Sequence, residues 1–388
     1  MRGLSAASGA AVAFWSALAL LAYTYVGYPL LIWAWSRIRP RPGRRGPVEP
    51  TVSILISAYN EERQIAARIQ NLLDLDYPRD RREILVASDG SGDATLERAT
   101  AFEDAGVRVF GFPERRGKPA ALNALAIRAT GEVLVFTDAR QRFERGTVRA
   151  LVAGFGDPEV GGVGGELMLV ADPERGSVGE AVGLYWHYEK WIRRAESRVD
   201  STVGATGAIY AVRRELFRPL PVDTLLDDVL EPMEVVAQGR RVVFESAARA
   251  YDRAAATASQ EFARKARTLA GVFQLFAHHP WVLHPLRNRL FFQTVSHKAL
   301  RLLTPLGLVA ALVANLPLLQ SPFYRVCLAL QLAFYAAALA GHARRDRRDR
   351  SPLLSLPYLV CVLAGAALVG FLRFARGRQA VTWERASA

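Results

Sequence analysis

VLVFTDARQRF, residues Val133–Phe143, opens on four apolar residues and then places a carboxylate, Asp138, where the strand must end. A short unbroken apolar run closed by polar residues is the pattern of a strand buried on both faces, as in parallel sheets. Upstream the pattern recurs in TVSILISAY (51–59), EILVASDG (83–90) and VRVFGF (107–112). Between these runs, EERQIAARIQNLLDL (61–75) and PAALNALAIRA (119–129) space their apolar residues as helices do. Strands alternating with helices predict an α/β fold on a parallel sheet covered on both faces, over about Val48 to Pro280. Such sheets take ligands at the carboxyl ends of their strands.

Those ends are polar. The first run leads into Tyr59, Asn60 and Glu61, the second into Asp89, Gly90, Ser91, Gly92 and Asp93, and the fourth into Thr137 and Asp138. Gly117 and Lys118 stand just before a helix. Each has an ordinary structural explanation: Asn60 or Asp93 as a helix cap, SDGSGD as a turn, Lys118 as a solvated charge. Together they put carboxylates and a lysine on one rim.

The 388 residues suffice for one large domain with additional elements. Fifty Lys and Arg against 37 Asp and Glu leave a net charge of +13, which points to an anionic ligand, an anionic membrane surface, or both. Nucleic acid is the other standard meaning of such a charge, but much of the excess lies in Arg clusters beside apolar runs, which favours a lipid membrane as the partner. Cys327 and Cys361 both lie in apolar segments, so neither a disulfide framework nor a zinc site is on offer.

The apolar run from about Ala11 to Trp35 carries no charge and is long enough to cross a bilayer of about 30 Å. It is too long for a signal peptide and is expected to be a retained anchor. Arg37, Arg39, Arg41, Arg44 and Arg45 follow it, which predicts a cytoplasmic location for the domain beyond. Three more apolar runs, about Leu302 to Leu319, Phe323 to Ala340 and Leu353 to Leu372, fill the C-terminal quarter, after a mixed stretch, NRLFFQTVSHKALRLL, expected to be an interfacial helix. Three spans there would leave Arg373, Arg376, Arg378 and Arg385 outside, against the positive-inside rule, so either one run does not span or the rule is broken. The resulting division is 1–45 as anchor and linker, 46–280 as a cytoplasmic domain, and 281–388 as interfacial helix and transmembrane helices.

VSILISAYNEE, LVASDGSGDAT, RRGKPAALNAL, FTDA, GATGAIYAVRRELF and LLDDVLEPMEVVAQGRRVVF, in that order over about Thr51 to Arg267, resemble the family 2 glycosyltransferases. The resemblance is to the membrane-integrated branch that includes cellulose, hyaluronan and poly-N-acetylglucosamine synthases. It implies a GT-A type nucleotide-sugar-binding sheet, flanked here by N-terminal and C-terminal transmembrane helices, and inverting transfer from a UDP-sugar with Mg²⁺ or Mn²⁺. The acceptor side would take a polysaccharide or lipid-linked acceptor at a multi-pass cell (inner) membrane, with no nucleic acid involved. By the same resemblance Asp228 is the catalytic base, and Asp89 accepts hydrogen bonds from the uracil. Tyr59, Asn60 and Glu61 line the nucleotide pocket, Lys118 faces the diphosphate, and Asp138 holds the ribose or the metal. Gly207, Asp227, Arg264 and Arg267 fall on the acceptor or diphosphate side.

The sequence departs from the family at two places. Relatives carry D-x-D where this chain has Asp138, Ala139 and Arg140. Arg140 either contacts the diphosphate through a charge-assisted fork or turns away to pair with Glu144, the latter slightly preferred. Processive synthases carry Q-x-x-R-W, whereas EFARKARTLAG offers Arg264, Lys265 and Arg267 with Thr268 at the tryptophan position, leaving processivity open. The aromatics of YWHYEKWIRRAES are expected on a helix at the bilayer edge, and His278, His279 and His284 are assigned no metal. An ordinary role also exists for Asp227 and Asp228, as caps of the helix holding Met233 to Val236. The competing functions are a nucleotidyltransferase on a sugar phosphate and a non-catalytic membrane scaffold.

Overall fold

The computed structural model describes residues 2–170, 179–253, 257–344 and 351–382. Its strands are β1 (Val52–Ala58), β2 (Arg82–Asp89), β3 (Val107–Phe112), β4 (Val133–Asp138), β5 (Arg142–Phe143), β6 (Val160–Val170), β7 (Tyr210–Arg213) and β8 (Arg241–Arg253). They form one sheet in the order β3-β2-β1-β4-β7-β6-β8-β5. The helices before the C-terminal quarter are α1 (Arg2–Ala22), α2 (Tyr28–Ile38), α3 (Ile65–Leu73), α4 (Thr95–Thr100), α5 (Lys118–Arg128), α6 (Thr147–Ala153), α7 (Gly179–Val199), α8 (Asp227–Ala237) and α9 (Ala258–His278). In the C-terminal quarter follow α10 (Phe291–Thr294), α11 (Leu300–Leu302), α12 (Thr304–Asn315), α13 (Pro322–Ala343) and α14 (Pro352–Ala375).

Strands β1 to β4 are the four read from the sequence, and they pair in parallel. Because successive strand residues point to opposite faces, Ile54 and Ile56 pack with α3, α4 and α6, while Leu55, Leu85 and Phe136 pack with α5 and α8. The far half of the sheet corrects the parallel expectation. β7 runs antiparallel to both β4 and β6, and β5 antiparallel to β8; only β6 and β8 pair in parallel there. The cause is the turn bridged by Thr206 and Ile209, from which β7 starts with Tyr210 opposite Phe136, two residues from the end of β4. An antiparallel strand in this slot hangs the preceding turn, with Gly207, over the carboxyl end of β4. A parallel strand would carry it to the opposite edge.

Three helices among the described residues are long and apolar enough to cross a membrane: Ser8–Ile38, Pro322–Ala343 and Leu353–Ala375. The first continues through a π-helical turn at Tyr23–Gly27. The run expected as the first C-terminal span, with its lead-in helix, is instead a bent pair: Phe291–Leu302 and Thr304–Leu318 meet at 59°. Pro305 stands at the start of α12, and its missing N–H and its ring prevent the earlier helix from continuing straight through. The aromatic helix α7 packs Ile192 and Ala195 against Tyr28 and Ile32 at the foot of the first span.

The chain beyond α14 returns to the sheet. Arg267 Nη2 donates to the Val381 carbonyl at 2.8 Å, and Val381 Cγ1 lies 3.1 Å from where a Cβ on Gly117 would stand. The chain at Val381 therefore lies on the same side of the fold as Gly117 and Lys118.

Candidate active site

The carboxyl ends of β1 and β2 are tied together by short polar contacts. Asn60 adopts φ 53°, a left-handed conformation that asparagine tolerates, and its side chain accepts from Gly92 N at 2.9 Å. Glu61 N donates to Thr95 Oγ1 at 2.7 Å, and Asp93 Oδ1 accepts from Thr95 N at 3.0 Å. Asp93 thus caps α4 from two residues before it. Asp89 is buried at the end of β2, with both oxygens occupied by backbone: Arg116 N at 2.9 Å and Gly117 N at 2.7 Å. In this structure it braces the 115–117 loop. That loop sits so close that a Cβ on Gly90 would stand 2.4 Å from Arg115 N, at φ +66° as well, so only glycine fits. Arg115 in turn lies 3.7 Å over the Tyr59 ring.

The loop braced by Asp89 delivers Lys118, the first residue of α5. Its Nζ stands 2.9 Å from Asp138 Oδ1 and 3.0 Å from Asp227 Oδ2, with the lysine side chain only 10% exposed. Burial works against the ammonium charge. Asp138, Asp227 and Asp228 outweigh it and hold the group well above the ordinary lysine range. Behind Asp138, buried Arg68 donates from Nη2 to Thr137 Oγ1 at 2.7 Å, so Asp138 stands between a lysine and an arginine. Burial lowers the Arg68 guanidinium and the Asp138 charge opposes that shift.

Asp227 and Asp228 are the first two residues of α8. They are not its caps: the position before the helix is Leu226, which makes no side-chain cap bond. Inside the first turn, their charge meets the positive end of the helix dipole. Gly207 N donates to Asp228 Oδ2 at 2.8 Å. A Cβ on Gly207 would lie 3.3 Å from that oxygen and 3.4 Å from Lys118 Nζ, so the bare glycine keeps the space over the pair open. The Asp228 carboxyl is pushed up to about 6, first by burial and then by the charge of Asp227, with Lys118 and the Gly207 N–H opposing. Such a group is ionised at neutral pH and still basic enough to take a proton.

Arg267 reaches this cleft: burial lowers its guanidinium, while the charge of Asp227 raises it and that of Arg115 lowers it further. Arg264, half-buried on α9, is not drawn into the cluster. The expected Arg140–Glu144 pair does not form. Spacing of four residues brings side chains together on a helix, but this segment enters β5, and Glu144 lies 3.8 Å from Arg249 while Arg140 is exposed. Sequence reasoning missed a second buried group, Glu189, Glu196, His297 and Arg301 at the foot of the spans. The available signal was the placement of Glu189, Arg193 and Glu196 at i, i+4 and i+7 on one face of α7.

Residues 53–220 match Glycosyl transferase family 2. Over 127 residues the chain is 35% identical to the probable glycosyltransferase YdaM of Bacillus subtilis, covering 31% of this chain and 30% of that protein. Over 116 residues it is 30% identical to the beta-monoglucosyldiacylglycerol synthase of Synechocystis, covering 29% of this chain and 24% of that one. The matched segments thus span less than a third of either relative. A mannosyltransferase from Pyrobaculum calidifontis, solved in complex with GDP-Man and Mn²⁺, shares the fold with a TM-score of 0.71 at 24% identity, over 93% of this chain and 98% of that one.

Proposed function

We propose that this chain, whose residues 53–220 match Glycosyl transferase family 2, is a membrane-integrated glycosyltransferase that transfers a sugar with inversion from a UDP-linked donor to a glycan or lipid-linked acceptor. The observation that carries the proposal is the pairing of Lys118 with Asp138 and Asp227 beside an Asp228 of raised basicity. Inversion needs a base on one side of the anomeric carbon and cations on the other, where the diphosphate departs. Asp228 is the base. Lys118 turns from Asp138 to the diphosphate when the donor enters, with Arg267 and the exposed Arg140 adding positive charge. Tyr59, Asn60 and Glu61 line the nucleotide pocket, and Asp89 acts by holding the Arg115–Lys118 loop.

Among the described residues no group of three or more His, Cys, Asp or Glu side chains could hold a metal ion. The residues therefore do not fit a cage built by protein alone. They fit a cation held mainly by the donor's phosphates, because the Asp138 side chain is 28% exposed to the cleft and Mg²⁺ sites commonly use one carboxylate plus phosphate oxygens. Asp138 would hold the Mg²⁺ or Mn²⁺ there, and the ion would supply positive charge against the departing diphosphate. Calorimetric titration of the donor with and without Mn²⁺ tests this: Asp138→Ala abolishes the gain that Mn²⁺ brings, and a gain that survives the substitution removes Asp138 from the cation site.

The proposed organisation keeps residues 1–45 as anchor and linker, 46–280 as a cytoplasmic catalytic domain and 281–388 as the membrane-embedded remainder. The Arg37–Arg45 cluster at the end of the first span supports this orientation. A reporter inserted near Gly46 is expected to register cytoplasm, and so is one placed after Val381. A periplasmic signal at the first site overturns access to cytoplasmic donors.

A further inference from the structure

We infer that the acceptor is an anionic lipid whose phosphate is held in a buried cationic pocket at the foot of the membrane spans, one residue removed from the Gly207–Asp228 contact. The inference rests on the glycosyl-transfer reading and specifies its acceptor. On one side stands the face of α7 that carries Glu189, Arg193 and Glu196. On the other is a π-helical turn, Val295–Ala299, with His297 and Lys298, followed by Arg301. A second π-helical turn, Tyr23–Gly27, joins from the first span through Tyr23 to Ser296 at 2.8 Å. Such turns are rare and frequent at functional sites.

The two glutamates have all their partners close by. Glu196 Oε1 lies 2.8 Å from His297 Nδ1 and accepts from the Tyr28 hydroxyl at 2.5 Å. Glu189 Oε2 lies 3.1 Å from His297 Nε2, and its other oxygen pairs with Arg301 Nη1. The cations outnumber what these acids can serve. Arg193 Nε and Arg301 Nε and Nη2 are buried and make no hydrogen bond among the described residues. Lys298 lies within electrostatic reach of Arg193 and Arg301 as well as of Glu189 and Glu196. Lys265, within reach of Arg193, is balanced by Glu261 at 3.7 Å.

Buried like charges with orphaned donors are costly unless an anion completes them. A phosphate supplies several strong acceptor oxygens and negative charge, which matches three guanidinium nitrogens without hydrogen bonds and a nearby ammonium. The position is continuous with the base: Arg193 Nη1 donates to Thr206 Oγ1 at 2.5 Å, and the next residue, Gly207, donates to Asp228 Oδ2. The phosphate is thus a handle rather than the nucleophile. A hydroxyl of the lipid headgroup gives its proton to Asp228 and bonds to the anomeric carbon. The bond from that carbon to the diphosphate breaks, and its electron pair leaves with the diphosphate. The apolar chains of the lipid lie along the bent pair that starts at Phe291.

The test uses the full-length protein in detergent and calorimetry with dioctanoyl phosphatidylglycerol, dioctanoylglycerol, inorganic phosphate and the UDP-sugar donor. The phosphatidylglycerol is expected to bind about tenfold or more tightly than the neutral lipid, the scale of charge-assisted hydrogen bonds. Lys298→Gln and Arg193→Gln each remove that preference, Lys298→Arg keeps it, and donor affinity is the same in all. Equal affinity for the two lipids in the wild-type protein overturns the inference while leaving sugar transfer standing. Loss of donor affinity in Lys298→Gln, with inorganic phosphate competing against donor, also overturns it and assigns the pocket to the donor's diphosphate. Failure of the wild-type protein to bind any nucleotide sugar counts instead against the glycosyl-transfer reading.

Discussion

Asp228→Asn lowers sugar transfer by about 10² or more while donor affinity stays within a few-fold. Removing a general base costs roughly this much when the rest of the site is intact. Asparagine keeps an oxygen to accept from Gly207 N, so the turn before β7 is preserved. The substitution also removes a carboxylate that Asp227 and burial disfavour. A carboxyl raised to about 6 binds its proton more tightly in the folded chain than in the unfolded one. Its ionised form therefore opposes folding as pH rises through about 6, and the neutral asparagine relieves this, so the variant is at least as stable as the parent at neutral pH. The wild-type rate should fall below about pH 6, tenfold per pH unit, as Asp228 takes up its proton. Full activity in Asp228→Asn would exclude it as the base and leave Asp227 as the next candidate.

Lys118→Met has a comparably large effect, on both stability and donor binding. It leaves Asp138 and Asp227 facing each other without the ammonium that stands about 3 Å from each. Breaking a buried ion cluster from one side costs about 3–5 kcal/mol, which thermal unfolding will register as a lower Tm. Because the folded-state value of Lys118 lies above its unfolded one, its contribution is complete at neutral pH and is lost only in strong alkali. Donor affinity should also fall, by about tenfold or more, through loss of a charged contact to phosphate. Adding Asp138→Asn to Lys118→Met should recover part of the stability and none of the donor affinity. Recovery of both would mean that Lys118 serves the fold alone.

The first half of the sheet was legible because β1, β2 and β4 each hold an unbroken apolar run, Ile54–Ile56, Ile84–Ala87 and Val133–Phe136, and lead into polar residues. The second half was not. β6, with four glycines in VGGVGGELMLV, and β8, in RVVFESAARAYDR, lack a clean apolar period, and the direction of β7 depends on a turn rather than on its own four residues. At the site, Lys118 and Asp138 were legible as neighbours on a rim. The contact of Lys118 with Asp227 joins residues 109 positions apart and follows only from the antiparallel return of β7 and the placement of α8. The error at Arg140 came from applying a helical rule to a segment that pairs as a strand with β8. Glu189 and His297 escaped notice because charged residues among aromatics near a membrane suggest a solvated edge, whereas here each is buried against the other.

Under the proposed function, the Lys118–Asp138–Asp228 cleft breaks the bond between a sugar and a nucleoside diphosphate. Incubating the purified full-length protein in lipid with a panel of nucleotide sugars, and quantifying every nucleotide product, measures this directly. One nucleotide sugar is expected to be consumed with release of one nucleoside diphosphate per sugar transferred, and Asp228→Asn is expected to suppress the release. Formation of nucleotide sugar from a nucleoside triphosphate and a sugar phosphate, or no consumption of any nucleotide sugar, would contradict it.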